Sequence, residues 1–205
     1  MIYLMSREIG RDTNRIGFPS VQTCLAVVLQ TDLELIGWHS FNSNLAVMRV
    51  DATTFATYVQ ANAVGNPVHL YTASNRAPRG AFWDPEVQSL ATALNFHGSA
   101  TMIDLKVMPA AAAPGEGGYV EFVRDHRRRC SVYFKRNAKM DYTTSEMPLA
   151  SINHRMIARG NAQPVPLYGG DNGRAIIHTN AALNANSRAG RLNEVSAGQS
   201  KTITV

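Results

Sequence analysis

The sequence predicts an α+β fold: one domain of mixed, sandwich-like β-sheets flanked by two or three helices. Three observations point there. The 205 residues are about one domain's worth of chain, enough to bury a core without staples. The apolar runs are short and rich in β-branched and aromatic residues, and the longest, Leu25–Leu29, is strand-sized. Helix signals are few and lie between strand signals rather than in a block, giving about eight strands and two or three helices in mixed order.

Taken in order, residues 1–19 read as a polar, Arg-rich lead-in, loosely packed, with one short strand at Ile2–Met5. Cys24–Gln30 and Leu33–His39 follow as two strands joined at Thr31-Asp32, a hairpin whose turn lacks the usual glycine. Asp51 is a candidate N-cap for a helix over Ala52–Ala63, ended by Gly65-Asn66-Pro67. Val68–Thr72 is a strand. Asp84-Pro85-Glu86 combines a cap, a first-turn proline and an acid near the helix dipole, so a helix should run from there to about Leu94 and stop near Gly98. Thr101–Val107 is strand-like, and Pro109–Gly118 is a small-residue loop. Tyr119–Arg124 and Cys130–Arg136 alternate around Asp125–Arg129 as a second hairpin. Ala175–Thr179 and Thr202–Val205 are short and β-like.

With 45% hydrophobic residues the chain is not a disordered segment. It has no apolar run of membrane-spanning length, and charged residues at Arg7, Glu8, Arg11 and Asp12 stand where a signal peptide would carry its apolar stretch. The expectation is a protein without a cleavable export signal or membrane span. Net charge is +5, from 16 Arg and 4 Lys against 15 acids. Arginine favours planar contacts with carboxylate or phosphate. Two cysteines do not make a disulfide scaffold, and no Cys/His spacing suits zinc. His69, His97, His126, His154 and His178 have no metal-ligand spacing either. No metal and no organic cofactor is expected.

Chemistry concentrates in the first hairpin. If Gln30 pairs with Leu33 across a two-residue turn, Cys24 stands opposite His39. Directly opposed residues have Cβ atoms about 4.5–5.5 Å apart. A thiol and an imidazole at that spacing make a nucleophile and its base. Both would lie at the open end of the hairpin, with Gly37 leaving room beside the histidine.

The stretch Gln22-Thr23-Cys24 followed by Leu25–Val28, then Ile36-Gly37-Trp38-His39, resembles the catalytic core of the Cys–His glutamine deamidases. These include the catalytic domain of the cytotoxic necrotizing factors and the chemotaxis receptor glutamine deamidases. The later order of elements is similar too, through Leu45-Ala46, a helix and the hairpin Val120–Asp125 with Ser131–Phe134. Gly169–Arg174 followed by Ala175–His178 resembles the glycine–arginine strand of the chemotaxis enzymes. The resemblance covers residues 20–135 in element order and departs from the family in two places. Gln22-Thr23 replaces the family's Ser/Gly pair before the cysteine, and Phe18 stands where the chemotaxis enzymes place a threonine that orients the histidine. It implies Cys24 as nucleophile and His39 as base, with a third group that is a backbone carbonyl or Ser20. It implies hydrolysis of a Gln or Asn side chain on a protein substrate such as a small GTPase, with transglutamination when an amine replaces water. It implies an effector or toxin, cytoplasmic in the cell that makes it and delivered by a specialised secretion system.

Two further readings compete, the first of them using the same histidine. Toxins of the diphtheria type, which transfer ADP-ribose, carry a His, a Tyr about thirty residues on, a second aromatic and a distant Glu. His39, Tyr71, Phe82 and Glu121 or Glu146 are similar in spacing. A non-enzymatic basic binder is the other alternative, since Arg124, Arg127, Arg128, Arg129, Lys135, Arg136 and Lys139 crowd the second hairpin beside Tyr119, Tyr133 and Phe134. No nucleic-acid signature accompanies them, so Arg127, Arg128 and Arg129 are read as a docking patch for a protein substrate, and nucleic acid is not expected.

Overall fold

The structure, a computed structural model, describes residues 2–4, 9–21, 24–40, 45–74, 82–105, 116–139, 193–195 and 197–205. Ala175–Thr179, Gly169–Arg174 and Glu146 lie outside them. The described residues form an α+β fold in which two sheets pack face to face and two helices cover the outer side of one.

The larger sheet is built on the first hairpin. β4 (Leu25–Thr31) and β5 (Leu35–Ser40) are antiparallel and buried along their whole lengths. β2 (Ile9–Asp12) pairs on the outer side of β5. On the other side, β6 (Pro67–Ser74) runs antiparallel to β4, β7 (Ser99–Asp104) runs parallel to β6, and β11 (Ser200–Thr204) closes the edge antiparallel to β7. The order is β11-β7-β6-β4-β5-β2. The smaller sheet has β3 (Arg15–Val21), β8 (Glu116–Arg124) and β9 (Cys130–Lys139) at its centre, with two-residue strands β1 (Ile2–Tyr3) and β10 (Asn193–Glu194) at its edges.

Strand alternation divides the larger sheet's side chains between two cores. Leu25, Val27, Leu29, Ile36, Trp38, Leu70 and Met102 face the helices, α1 (Leu45–Asn62) and α2 (Asp84–Leu94). Trp38 stacks on Phe55 of α1 with ring centroids 5.6 Å apart. Ala26, Val28, Leu35, Ala73 and Ile103 face the smaller sheet and meet Leu4, Ile16, Phe18, Val120 and Phe122.

Several expectations need correction. The described residues of 1–19 are not a loose lead-in: Leu4, Ile9, Ile16 and Phe18 are wholly buried, β2 joins the larger sheet, and β1 and β3 join the smaller one. The helix expected at Ala52 begins at Leu45, and Asp51 lies inside it. The expected capping acid Asp84 is already the first residue of α2, after Trp83; the helix runs to Leu94 as expected, and the chain leaves it through Asn95 in a left-handed conformation (φ 50°), before Gly98 is reached. Asn tolerates that conformation better than most residues.

Candidate functional site

The register of the first hairpin differs from the one the spacing predicts. Ala26, not Cys24, stands opposite His39, and Leu25 stands opposite Ser40. The cause is the turn. The Thr31 N–H donates to the Glu34 carbonyl at 2.9 Å, and the Thr31 hydroxyl oxygen accepts from the N–H groups of Leu33 and Glu34 at 3.1 and 2.9 Å. Residues 31–34 therefore form the connection, which moves the pairing by one residue on each strand. A two-residue turn would have needed a glycine-like backbone that Thr31-Asp32 does not offer. Cys24 sits at a bend just before β4, two residues from Ala26, one row beyond His39 on the ladder. The pair is thus diagonal rather than directly opposed, a relation that on a regular ladder separates Cβ atoms by roughly 7–8 Å or somewhat less.

His39 is the most perturbed group there. It is 1% exposed, its Nδ1 lies 2.8 Å from the Leu4 carbonyl oxygen, and its Nε2 is buried with no hydrogen-bond partner among the described residues. A carbonyl accepts only, so Nδ1 carries the proton and Nε2 presents a bare lone pair. Burial pushes the pKa down to about 4, against a smaller upward pull from the Leu4 hydrogen bond. His39 is a neutral base at physiological pH. The ring of Phe18 packs edge-on against it, centroids 5.8 Å apart. Phe18 thus touches the ring, while the backbone of Leu4 makes the hydrogen bond. Ser20 lies within β3, in the stretch between Phe18 and Val21 where the pairing register shifts, and its side chain is outside the described part.

Gly37 serves a different purpose from the one expected. A Cβ built there would meet Leu4 Cδ1 at 2.7 Å, Phe18 Cζ at 2.9 Å and Ile16 Cγ2 at 3.1 Å. The missing side chain admits the facing sheet rather than making room beside His39.

The wider setting comes from strand direction. β4 is antiparallel to both β5 and β6, and β6 is parallel to β7, so β5, β6 and β7 all end at the edge where β4 begins. Sites in open α/β sheets form outside such carboxyl ends. Cys24, His39, Ser40, Ser74 and Asp104 gather at this edge, and Ser40, Ser74 and Asp104 are all buried. The Ser74 hydroxyl donates to the Cys24 carbonyl at 2.8 Å. Ser74 and Asp104 were missed in the sequence. Their signal is only a polar residue at a strand's end, as in Ala73-Ser74 and Ile103-Asp104, and Thr72 and Thr101 inside the same strands weaken it.

The other predicted residues lie elsewhere. Arg127, Arg128 and Arg129 form the β8–β9 turn. Asp125 organises that turn, accepting from the backbone N–H groups of Arg127 and Arg129 and from Arg129 Nε. These contacts hold the Asp125 carboxyl below its ordinary pKa, the Arg129 N–H foremost. The turn packs on the closed end of the first hairpin, where Gln30 Nε2 donates to the Arg128 carbonyl at 2.6 Å and Arg124 donates to the Asp32 carbonyl. Gln30 lies six residues along the strand from Cys24, roughly 20 Å at about 3.3 Å per residue. The arginines are not part of the Cys24–His39 edge.

Tyr71 packs on His69 at 4.2 Å between centroids and on Phe122 at 5.8 Å, and burial pushes its hydroxyl pKa up. The aromatic path from His39 to Tyr71 runs through Phe18 and Phe122, which fill the space between them. Glu121 is bonded to the Tyr119 hydroxyl at 2.5 Å and faces Arg15 at 3.5 Å, on the side of its sheet opposite Phe122. Phe82 lies beside Trp83. Both cysteines are thiols rather than a disulfide, and burial pushes Cys130 up to about 12. Among the described residues no group of three or more His, Cys, Asp or Glu is placed to hold a metal, and no helix is long and apolar enough to cross a membrane.

Comparison with protein-family models and with curated proteins gave no match to the chain.

Proposed function

We propose that the protein is a cysteine-dependent deamidase that converts a side-chain amide, Gln or Asn, on another protein into the acid. The observation that carries this reading is the state of His39: buried, neutral, proton fixed on Nδ1 by the Leu4 carbonyl, and Nε2 bare. A histidine kept only for packing would ordinarily bond both ring nitrogens or reach solvent. A base for a thiol needs one nitrogen anchored and the other open. Cys24 is partly exposed at the end of the ladder, with His39 behind it in the dry layer between sheets, so substrate would approach from the Cys24 side.

In this mechanism Cys24 Sγ attacks the amide carbon while its proton passes to His39 Nε2. The C–N bond then breaks as His39 returns that proton to the departing nitrogen, which leaves as ammonia. Water, deprotonated by His39, attacks the thioester, and C–S cleavage restores the thiol and releases the carboxylate. An amine taking the place of water gives transglutamination. The backbone N–H of Cys24 would hold the oxyanion, and the Leu4 carbonyl would serve as the third, orienting group. The Arg127–Arg129 turn, about 20 Å away, fits a remote docking contact with a folded protein substrate such as a small GTPase better than a role at the reacting atoms. An effector delivered into a target cell is the setting this activity suggests.

The test is to incubate a cell extract with the wild-type protein and score Gln-to-Glu and Asn-to-Asp conversion by peptide mass spectrometry, with ammonia release alongside. Conversion at discrete sites that vanishes with Cys24→Ala and with His39→Gln supports the proposal. Conversion that persists in Cys24→Ala rejects it, and so does the absence of any converted site.

A further inference from the structure

Ser74 ends β6 wholly buried, and its hydroxyl crosses to the neighbouring chain segment to donate to the Cys24 carbonyl at 2.8 Å. Its own carbonyl accepts from Leu105 N–H at 2.9 Å, which fixes the end of β6 to the residue following β7. The β4–β6 ladder extends from Thr31 to Ala26, paired with Ala73, so Ser74 is the first residue of β6 beyond its last partner on β4. Where regular pairing stops, this side chain supplies the next link. It acts on a residue that has left the strand geometry, since Cys24 is at a bend.

We infer that Ser74 is a positioning residue for Cys24: its hydroxyl, by holding the Cys24 carbonyl, sets the backbone torsion that aims the thiol toward the bare Nε2 of His39. The inference rests on the reading of Cys24 and His39 as nucleophile and base. The physics is local. A bound carbonyl fixes the peptide plane after Cys24 and thereby its ψ angle, leaving χ1 as the thiol's remaining freedom. The diagonal register makes this necessary, because a regular strand at Cys24 would leave the thiol a row away from the base. A hydroxyl suits the task because it donates without bringing charge into a buried place. Alanine would leave the carbonyl without that donor and return the bend to a range of torsions.

The readout is the rate at which iodoacetamide alkylates Cys24 between pH 4.5 and 9.5, followed on the Cys24 peptide so that Cys130 does not contribute. A thiol that can pass its proton to a neighbouring base has a reactive fraction that stays constant between the two macroscopic pKa values of the pair. An isolated thiol follows its own ionisation, with a midpoint about 8.5. The wild type should show a reactivity plateau on the acid side that His39→Gln abolishes. Ser74→Ala should lower that plateau by about tenfold, the effect of one lost neutral hydrogen bond at the upper end of its range, and Ser74→Thr should restore it. A purely structural Ser74 would change the melting temperature and leave the plateau alone. Should Ser74→Ala fail to melt cooperatively, Ser74→Cys keeps the volume with a weaker donor and gives the same comparison on the Cys24 peptide. A His39-dependent plateau left unchanged by these substitutions overturns the role of Ser74 and leaves the dyad standing. A wild type without any plateau overturns both.

Discussion

Acid should destabilise this protein through His39, and the amount can be worked from its burial. The ring is neutral in the folded state with a pKa lowered to about 4, whereas an unfolded histidine titrates near 6.5. As pH falls through 6.5 the unfolded chain takes up a proton that the folded chain refuses. Stability then declines with pH until about 4, where the folded ring also protonates. The gap of about 2.5 pH units at 1.36 kcal/mol each amounts to about 3 kcal/mol. For a chain of this length that is a fall in Tm of roughly 6–12 °C beyond the contribution of the other groups. The control is His39→Gln, which can still donate to the Leu4 carbonyl but cannot be protonated. His69 is also lowered by burial, but it is present in both proteins and cancels in the difference. Urea unfolding of both proteins at pH 7, 6, 5 and 4 measures the effect. The wild type should lose about 3 kcal/mol more than the variant over that range. Parallel stability curves would refute the reasoning, because they would mean that the ring is hydrated or already charged in the folded state.

Three further outcomes are expected. Gly37→Ala should cost about 1–3 kcal/mol in urea unfolding, since the new methyl would press on Leu4, Phe18 and Ile16 across the sheet interface. Glu34→Ala should cost about 3 kcal/mol in the same assay, because the buried carboxylate pairs with Arg11 at 3.3 Å and accepts from the Val64 N–H at 2.7 Å, tying the hairpin to the end of α1. Replacing Arg127, Arg128 and Arg129 together with Ala should leave Tm within about 2 °C, because Arg128 and Arg129 are 62% and 70% exposed. The same triple variant should lower turnover on a protein substrate severalfold while sparing small amides, and the loss should shrink as salt is raised.

What could be read from the sequence was set by local chemistry. α2 was legible from Asp84-Pro85-Glu86, because a first-turn proline and acids near the helix dipole act within a few residues, although Asp84 proved to be its first residue rather than its cap. Both hairpins were legible from β-branched and aromatic runs, and so was the α+β class. The register of the first hairpin was not, because it depends on a hydroxyl of Thr31 that gathers two N–H groups and makes a four-residue connection. Residues 1–19 looked loose because Arg, Asp and Pro interrupt their alternation, yet Ile9, Ile16 and Phe18 are at the centre of the packing. The first turn of α1 carries no acidic residue to announce it. At the site, Cys24 and His39 were visible as residue types. Leu4 and Ser74 were not, since one acts through its carbonyl across 35 residues and the other through a hydroxyl across 50. Contacts of that separation leave no trace in spacing.

The proposed chemistry depends on the proton of His39, and nitrogen-15 NMR of its imidazole reads that proton directly. At pH 6 Nδ1 should be protonated and pyrrole-like and Nε2 bare and pyridine-like, with the Nε2 resonance moving on Cys24→Ala and Nδ1 staying in place. A doubly protonated ring at that pH, the reverse tautomer, or an Nε2 indifferent to the loss of the Cys24 thiol would contradict it.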